Sequence, residues 1–325
     1  MGIKIIKPGM FTTVQDMGRV GFRSAGIGPG GAMDFFAAAV ANYLVGNDEK
    51  AAAVEMHFPA AEIMFESAAL MNVAGGDFSA HLNDEPVPLW QPFFVKPTDR
   101  LVFKKYINGA RAYLAIHGGI KADNWLNSFS THIKAKAGGF KGRALLKEDV
   151  LPFNKKIEWF PLKNFPNFTS LIASVYQPTH TIRCIAGAEW EWLNEWSQDN
   201  FLESNFVVTA HSDRMGFRLL GTNLSLHPPV ELISSPVDMG TIQLLPNGQL
   251  IVLMADHPTT GGYPRVANVM SADLPKLAQS PIHSQIQFEM IPPENAADVL
   301  FSFHQKLNSI KNSCNNFYDA HRSQL

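Results

Sequence analysis

The chain has 325 residues, of which 46% are hydrophobic, and its formal net charge is −2. A single core stops growing at roughly 250 residues, so we expect two domains. The near-neutral charge argues against nucleic-acid binding, which leaves a basic excess on the binding surface.

Short apolar segments bounded by Gly, Pro, Asn and Asp predict a mainly β protein. The predicted strands, in chain order, are Ala69–Ala74, Arg100–Phe103, Ala112–Ile116, Phe206–Thr209, Leu250–Ala255 and Gln285–Ile291. Helices are predicted at Asp34–Leu44, at Ala272–Ala278 and at Ala296–Lys311. The first begins with an N-cap type residue, and the last has apolar residues at spacings of three and four. The polar residues after Lys311 are expected to fray.

One short pattern, Gly-Phe-Arg, Val-Glu, strand and Asp, occurs twice. The two copies are Gly21–Arg23, Val54-Glu55 and Asp77, then Gly216–Arg218, Val230-Glu231 and Asp256. Matches this short also arise by chance, so duplication and coincidence both stay open. The pattern favours two similar β domains, joined by the proline- and asparagine-containing stretch Asn154–Pro178.

The first candidate segment, Thr12–Asp34, contains six glycines and a proline. Such a backbone turns sharply and exposes N–H groups to an anionic ligand, and Asp34 leads into a helix N-terminus. Arg19 and Arg23 could bind a carboxylate or phosphate through two hydrogen bonds. A glycine-rich turn in which Asp16 and Arg19 pair structurally is the alternative. The sequence has no Walker-type Gly-Lys-Ser/Thr motif.

The second segment, His211–Gly216, places an imidazole, a hydroxyl, a carboxylate and a guanidinium in consecutive positions. Ser212 lacks the elbow of a serine nucleophile, so a catalytic triad is not expected. Asp213 and Arg214 could act on a substrate, or the segment could be a salt-bridged structural turn.

The third segment, Ala255–Arg265, follows a strongly apolar strand, which is the usual position of a binding loop. Asp256 and His257 could act as acid or base. The hydroxyls and amides that could hold an oxyanion or carboxylate belong to Thr259, Thr260, Gly261 and Gly262, with Tyr263 beside them. A tight hairpin made of turn-type residues is the alternative.

Weaker candidates are the donors Ser128, Ser130, Thr131 and His132, followed by the basic stretch Lys136–Arg143. That stretch could close over a charged ligand or could be an ordinary solvated loop. The histidines are scattered, so no metal site is predicted.

Two cysteines, Cys184 and Cys314, are too few for a disulfide framework. The start has no secretory signal, and the apolar runs are shorter than the ~20 residues that span a bilayer. We therefore expect a cytoplasmic protein without membrane contact.

Taken together, these segments resemble the family of biotin-dependent carboxyltransferases and 5-oxoprolinase C subunits. That family includes the KipA-type proteins, the allophanate hydrolase subunit 2-like proteins and the second carboxyltransferase half of urea amidolyase. The similarity runs from about the start to Ile291. The residues that carry it are Thr13-Val-Gln-Asp16 with Gly18-Arg19, Gly31-Ala-Met-Asp34, Ala41-Asn42, Leu44-Val-Gly-Asn47, Gly138-Gly-Phe140, Gly142-Arg-Ala-Leu145, Ser212-Asp-Arg-Met-Gly216, Thr259-Thr-Gly-Gly-Tyr-Pro264 and Ser271-Ala-Asp-Leu-Pro275.

The resemblance implies two cyclophilin-like β-barrel domains with a few short helices and a C-terminal helix. We assign 1–165 and 166–291 to these domains and 292–325 to the helix and tail. A site between the domains is implied. Its expected catalytic residues are Asp16, Arg19, Asp213, Arg214, Asp256 and His257. Its expected substrate-binding residues are Gly31, Asp34, Ser130, Thr131, Ser212, Thr259, Thr260, Gly261, Gly262 and Tyr263.

The activity implied is that of one component of an ATP-dependent 5-oxoprolinase, which opens 5-oxoproline to glutamate using ATP with Mg. A KipI-like partner (a homologue of the 5-oxoprolinase B subunit), together with the A subunit, would be required for activity. Two alternatives stay open: a biotin-dependent carboxyltransferase component, and a non-catalytic KipA-type regulator that binds a kinase inhibitor. The chain has no Met-Lys-Met motif, so it is not itself a biotin carrier.

The chain departs from the family pattern at three positions. Gly30 stands where relatives have serine, Phe129 where they have arginine, and Pro258 where they have glutamine. Contacts that those polar groups make to an anion are therefore in doubt here.

Overall fold

The computed structural model describes residues 2–155, 160–177, 179–227 and 232–321. They fall into two compact units, one within Met1–Arg19, Gly30–Ile172 and Gln305–Leu325, the other within Val20–Pro29 and Ala173–His304. These units are discontinuous in sequence. The continuous domains 1–165, 166–291 and 292–325 stay a prediction.

The first unit is built from two β-sheets around one apolar core. Its sheets run in the orders β11-β1-β4-β9-β6-β7 and β2-β3-β10-β5-β8. Its elements are β1 (Gly2–Lys7), β2 (Thr12–Gln15), α1 (Phe35–Leu44), β3 (Ala53–His57), β4 (Glu62–Phe65), β5 (Ala69–Asp77), β6 (Ala80–Leu82), β7 (Glu85–Pro86), β8 (Phe93–Val95), β9 (Arg100–Phe103), β10 (Asn108–Ile116) and β11 (Val150–Pro152).

Strand β10 shows how the first unit buries both faces of its second sheet. Successive side chains of a strand point to opposite faces. Leu114, opposite Val54 and Val73, joins the core between the sheets. Tyr113 and Ala115 face the other way and join a second apolar cluster, which includes helix α1. A strand buried on both faces is continuously apolar, which is why Ala112–Ile116 was recognisable in the sequence.

Helix α1 begins as predicted. The Asp34 carboxylate accepts a hydrogen bond from the Ala37 backbone N–H at 2.9 Å, which is the N-cap contact expected of that residue type. Ala37, Ala38 and Ala41 belong to the second apolar cluster. Their small side chains allow the helix to pack closely on its neighbours.

The second unit is a closed barrel whose strands follow the order β12-β19-β16-β17-β14-β13-β20, with β20 parallel to β12. Strands β15 and β18 form a separate ribbon, and short 3-10 helices lie at Arg23–Ala25 and Trp190–Trp192. The elements of the second unit are β12 (Thr181–Ala186), α3 (Glu195–Glu203), β13 (Phe206–Val208), β14 (Gly216–Leu220), β15 (Ser235–Pro236), β16 (Thr241–Leu244), β17 (Leu250–Leu253), β18 (Thr260–Gly261), β19 (Arg265–Val269), α4 (Leu274–Ala278) and β20 (Gln285–Met290). Helix α2 (Thr169–Ala173) belongs to the first unit up to Ile172, and helix α5 (Pro293–Ala320) belongs to the second unit up to His304 and to the first unit from Gln305.

The barrel sorts its side chains by the two-residue period of its strands. Phe217, Val252 and Ile242 are aligned in register across β14, β17 and β16, and all three are buried. Their neighbours Arg218, Ile251 and Gln243 form the adjacent row, so they point to the outer face. This outer row forms part of the candidate site.

The mainly β class is confirmed, and each of the six strands predicted from the sequence overlaps an observed strand. The prediction of a frayed tail after Lys311 was wrong, because α5 continues to Ala320. Ile310, Cys314 and Phe317 follow the helical spacing and are buried, and the Tyr318 hydroxyl donates to the Leu44 carbonyl at 2.7 Å. The polar residues between them had hidden this apolar stripe.

Two sequence-based interpretations touch residues that are not described. Val230-Glu231, the middle of the second copy of the repeated pattern, lies outside the described residues, as do 156–159 and 178 of the expected linker. Within the described ranges, no helix has both the length and the apolar character needed to cross a membrane.

Candidate functional site

Asp16 anchors a buried polar cluster in the first unit. Asp16 is only 4% exposed. The carboxylate accepts hydrogen bonds from the Ser128 hydroxyl at 2.6 Å, the Phe129 N–H at 2.6 Å, the Gly18 N–H at 2.8 Å and the Ser130 hydroxyl. These four hydrogen bonds fix the orientation of the carboxylate and tie the turn after β2 to loop 128–130.

Arg19 belongs to the same cluster and is 1% exposed. Its Nη2 donates to the Ser130 carbonyl at 2.5 Å, and its guanidinium carbon lies 4.9 Å from the centroid of the Trp125 ring. A guanidinium over an aromatic face is attracted by the ring quadrupole. Thr131 extends the cluster, because its hydroxyl donates to the Val14 carbonyl at 2.9 Å.

Gly139 closes the cluster from the neighbouring loop. Its φ is +63°, and an added Cβ would lie 1.9 Å from the Thr131 Oγ1. A side chain fits neither the backbone conformation nor the space. This contact accounts for the glycine pair in Gly138-Gly-Phe140, which the sequence presented as a basic, flexible loop.

The N–H groups expected to face an anion at Gly31–Asp34 are engaged inside the first unit. The Ala32 N–H donates to the Asp16 carbonyl at 2.8 Å, the Met33 N–H to Glu55 Oε2 at 2.9 Å and the Asp34 N–H to the Tyr113 hydroxyl at 2.8 Å.

The Tyr113 hydroxyl in turn donates to Glu55 Oε2 at 2.7 Å. Burial and the nearby Glu55 carboxylate raise the pKa of Tyr113 well above its usual value, so it stays a donor. Buried acceptors therefore fix the backbone of the segment Gly31–Asp34.

In the second unit, an ion pair joins the second and third segments. Arg214 Nε lies 2.8 Å from Asp256 Oδ2, and Arg214 Nη2 lies 3.0 Å from Asp256 Oδ1. Two parallel hydrogen bonds of this kind fix both groups in one orientation. The Asp256 N–H also donates to the Arg214 carbonyl at 2.8 Å. The pair therefore holds the two loops together at their bases.

His257 follows this pair and is 1% exposed. Its Nδ1–H donates to the Pro258 carbonyl at 2.7 Å, and Nε2 has no hydrogen-bond partner among the described residues. Burial, and then the charge of Arg23, lower the pKa of His257 below its ordinary value. The ring is therefore neutral near pH 7, with its proton on Nδ1 and the Nε2 lone pair unprotonated.

An open pocket of about 450 Å³ lies on the outer face of the barrel, and we call it the outer-face pocket. Its lining combines the second and third segments with residues of three barrel strands, β14, β16 and β17. Among the residues that line it are His211, Asp213, Arg218, Gln243, Pro258 and Tyr263.

The floor of the outer-face pocket is set by strand register. Arg218, Ile251 and Gln243 lie side by side on β14, β17 and β16. A Cβ at Gly216 would lie 2.8 Å from Ile251 Cδ1, so glycine keeps the floor deep. The Gln243 Nε2 donates to the Tyr263 carbonyl at 3.2 Å, which fixes the wall to the floor.

The remaining predicted residues of the second segment shape its turn. Asp213 Oδ1 accepts the N–H groups of Met215 at 2.8 Å and Gly216 at 3.2 Å. The Ser212 hydroxyl accepts the Arg218 N–H at 3.1 Å. These are the contacts of a structural turn, and Asp213 also lines the pocket.

In the third segment, Thr260 and Gly261 pair with β15, opposite Pro236 and Ser235, and the Thr259 carbonyl accepts the Val237 N–H at 3.3 Å. Gly262 and Tyr263 line a second, largely apolar pocket of about 570 Å³. We call it the leucine pocket, from Leu224, Leu226, Leu232, Leu244 and Leu245 in its wall. Tyr263, Leu245 and Pro246 border both pockets.

Sequence reasoning did not assign Arg218, His211 or Gln243 to a site. Arg218 stood out as the end of the repeated Gly-Phe-Arg pattern, and His211 as the start of the second segment. Gln243 gave a weaker signal, a polar residue between Ile242 and Leu244 in an apolar strand.

Comparison with known proteins adds a consistent result. A family model described as "Carboxyltransferase domain, subdomain A and B" matches residues 25–290. The chain is 38% identical to the 5-oxoprolinase C subunit of Escherichia coli (strain K12) over 297 residues, covering 90% of this chain and 93% of that protein. It is 36% identical to the 5-oxoprolinase C subunit of Haemophilus influenzae, covering 88% and 90%.

A solved structure is also similar. The crystal structure of the K. lactis urea amidolyase superposes with a TM-score of 0.85 at 28% identity. The match covers 95% of this chain and 20% of that one.

Proposed function

We propose, from the premise that this chain belongs to the carboxyltransferase-domain family of subdomains A and B, that it is the C subunit of an ATP-dependent 5-oxoprolinase complex. The complex would open 5-oxoproline to glutamate. The observation that carries the proposal is the match to two proteins named as C subunits of 5-oxoprolinase, over nearly their whole length. A subunit name describes one member of an assembly, so the proposal includes partners.

The partners we propose are a KipI-like homologue of the B subunit and the A subunit, in the cytoplasm, with the chain inactive alone. ATP and its magnesium would act in the complex. The described part of the chain has no group of three or more His, Cys, Asp or Glu placed to hold a metal ion, and the sequence has no Walker-type motif.

Opening the lactam adds one water: its oxygen joins the carbonyl carbon, the C–N bond breaks and the nitrogen takes a proton. We propose that the neutral His257 ring, oriented by the Pro258 carbonyl, holds a proton at the third segment, Ala255–Arg265. Arg214 holds the neighbouring Asp256 in place. For Asp16 and Arg19 we propose a positioning role, because their polar groups already bind loop 128–130. The site expected between the domains stays a prediction.

The test is an ATP-dependent 5-oxoproline ring-opening assay on the chain alone, on its co-encoded partners alone, and on all of them together. Glutamate should form only in the last sample. Robust turnover by the single chain would overturn the dependence on partners. A correctly assembled complex that leaves 5-oxoproline intact would overturn the function itself.

A biotin-dependent carboxyltransferase component is the second candidate, and the TM-score of 0.85 to urea amidolyase favours it. The same purified chain can be offered carboxylated biotin and a nitrogen acceptor. Loss of the carboxyl group from biotin that requires this chain would support the second candidate. Ring opening without any biotin would support the first.

A further inference from the structure

We propose that the outer-face pocket binds a small carboxylate that also carries an N–H donor, with Arg218 holding the carboxylate and Asp213 accepting from the N–H. The identity of that ligand as 5-oxoproline rests on the proposed function. The class of ligand follows from the side chains that line the pocket.

Among the described residues, Arg218 has no carboxylate partner, whereas the other arginines of the second unit have one. Five arginines are described in the second unit, and in that described part four are paired with an acidic residue. The pairs are Arg23–Asp238, Arg183–Asp273, Arg214–Asp256 and Arg265–Glu189. For Arg218 the described residues supply no ion pair or side-chain hydrogen bond, although it lines a pocket. A planar guanidinium in that position is suited to bind a carboxylate through two parallel hydrogen bonds.

The backbone holds Arg218 in place for this role. Its N–H donates to the Ser212 hydroxyl at 3.1 Å, and its carbonyl accepts the Thr209 N–H at 2.9 Å. Its register with Ile251 fixes the direction of the side chain toward the outer face. The charge is therefore carried by a rigid strand, which reduces the ordering cost when a ligand binds.

Other donors in the pocket lack partners in the described residues. The His211 ring is exposed and lines the pocket, and the Tyr263 hydroxyl belongs to a residue that is 45% exposed. Both can donate to an anion held by Arg218. The lining is thus richer in free donors than in free acceptors.

Asp213 is the acidic residue among those that line the pocket, and its carboxylate restricts which ligands the pocket can bind. Its Oδ1 is used by the Met215 and Gly216 N–H groups, and no described residue donates to Oδ2. An unmatched carboxylate oxygen next to an anion site disfavours a ligand that has only acceptors. It favours a ligand that offers an N–H as well, as a lactam or other acylated amino acid does.

Size and polarity agree with such a ligand. The volume of about 450 Å³ lies within the range of roughly 300–1,000 Å³ that small-molecule sites occupy. Gly216, Ile251 and Leu253 provide an apolar floor for ring methylenes, with polar groups around it. An apolar floor with a few convergent polar groups is the usual composition of a small-molecule site.

The test compares 5-oxoproline with 2-pyrrolidinone, which has the same lactam ring without the carboxylate. Binding to the assembled complex is measured by calorimetry for wild type, Arg218→Ala, Arg218→Lys and the control Lys105→Ala. Lys105 is an exposed cation in a loop of the first unit, outside the pocket lining. Arg218→Ala should weaken 5-oxoproline binding about ten- to a hundredfold and leave 2-pyrrolidinone unchanged. Arg218→Lys should restore part of the affinity, and Lys105→Ala should have no effect.

The outcomes separate this inference from the proposed function. If Arg218→Ala leaves the affinity and KM for 5-oxoproline unchanged in an active complex, the inference is overturned and the function stands. If the complex does not turn over 5-oxoproline, the function fails, and glutarate and N-acetylglycine become the probes. The inference then survives only if N-acetylglycine binds better than glutarate and its binding depends on Arg218; otherwise it is overturned. Arg218 is exposed, so both substitutions should fold, as a thermal melt can verify.

Discussion

The buried polar cluster of the first unit and the outer-face pocket of the second begin from the same residue types, an aspartate, an arginine and glycines. In the cluster, Asp16 accepts four hydrogen bonds and Arg19 is 1% exposed. In the pocket, Asp213 and Arg218 line a cavity and keep polar atoms unmatched in the described residues. Motifs with the same residues can therefore serve a fold or a ligand, and the hydrogen-bond partners tell the two apart.

The largest effect is expected for Asp16→Ala, which should lower the free energy of unfolding by about 3–5 kcal/mol. The substitution leaves the buried donors of loop 128–130 without their acceptor. The matched control is Asp213→Ala, whose carboxylate accepts two backbone N–H groups at an exposed turn, and it should cost only about 1 kcal/mol. Urea unfolding followed by circular dichroism measures both. Equal losses for the two variants would remove the distinction between the regions.

Gly139→Ala should have the next largest effect, lowering the free energy of unfolding by about 2–4 kcal/mol. The new Cβ would meet Thr131 Oγ1 at 1.9 Å, at a φ of +63°. Gly26→Ala is the control, because Gly26 has a φ of +76° with nothing within 4 Å of the added Cβ. It therefore reports backbone strain without the clash. Thermal melts that show the same shift for both variants would mean that the close contact with Thr131 is unimportant.

A smaller effect is expected from one histidine in each unit, the half-buried His117 and the buried His257. Burial lowers the pKa of His117 and of His257 below the ordinary value of 6.5. Below about pH 6.5 the unfolded chain binds protons that the native protein does not, so the free energy of unfolding falls as the pH falls. Each histidine can contribute a slope of up to about 1.4 kcal/mol per pH unit.

Replacing either histidine by glutamine should therefore reduce the loss of stability between about pH 7.5 and pH 5.5, as measured by urea unfolding. The two variants should differ in their effect on activity. The pH profile of activity of the complex should change for His257→Gln and stay the same for His117→Gln. A double variant with the full pH dependence of wild-type stability would show that other groups cause it.

Much of the fold could be predicted because its signals are local. The apolar run that forms β9 and the Asp34 N-cap of α1 depend on neighbouring residues only. The extension of α5 was missed because Ile310, Cys314 and Phe317 are separated by polar residues, and their value as a stripe appears only once they are packed.

The candidate site was harder to predict, because it depends on distant contacts. Three of the four donors to Asp16 lie 112–114 residues away, so its structural role could not be read from Thr12–Asp34. Asp213 and Tyr263 were identified and do line the outer-face pocket. Arg218 and Gln243 join them through the registers of β14, β17 and β16, which no local pattern specifies.

Ser130 has a further consequence for the cluster in the first unit. Its hydroxyl accepts the Asp16 N–H at 2.9 Å and donates to the Asp16 carboxylate, while its carbonyl accepts from Arg19. Bringing it to Asp16 closes a loop of more than a hundred residues, and the entropy of that closure is lost before any contact forms. Because the contacts then form together at one residue, the cluster is cooperative. We therefore expect Asp16 and Arg19 to lose their contacts with Ser130 together.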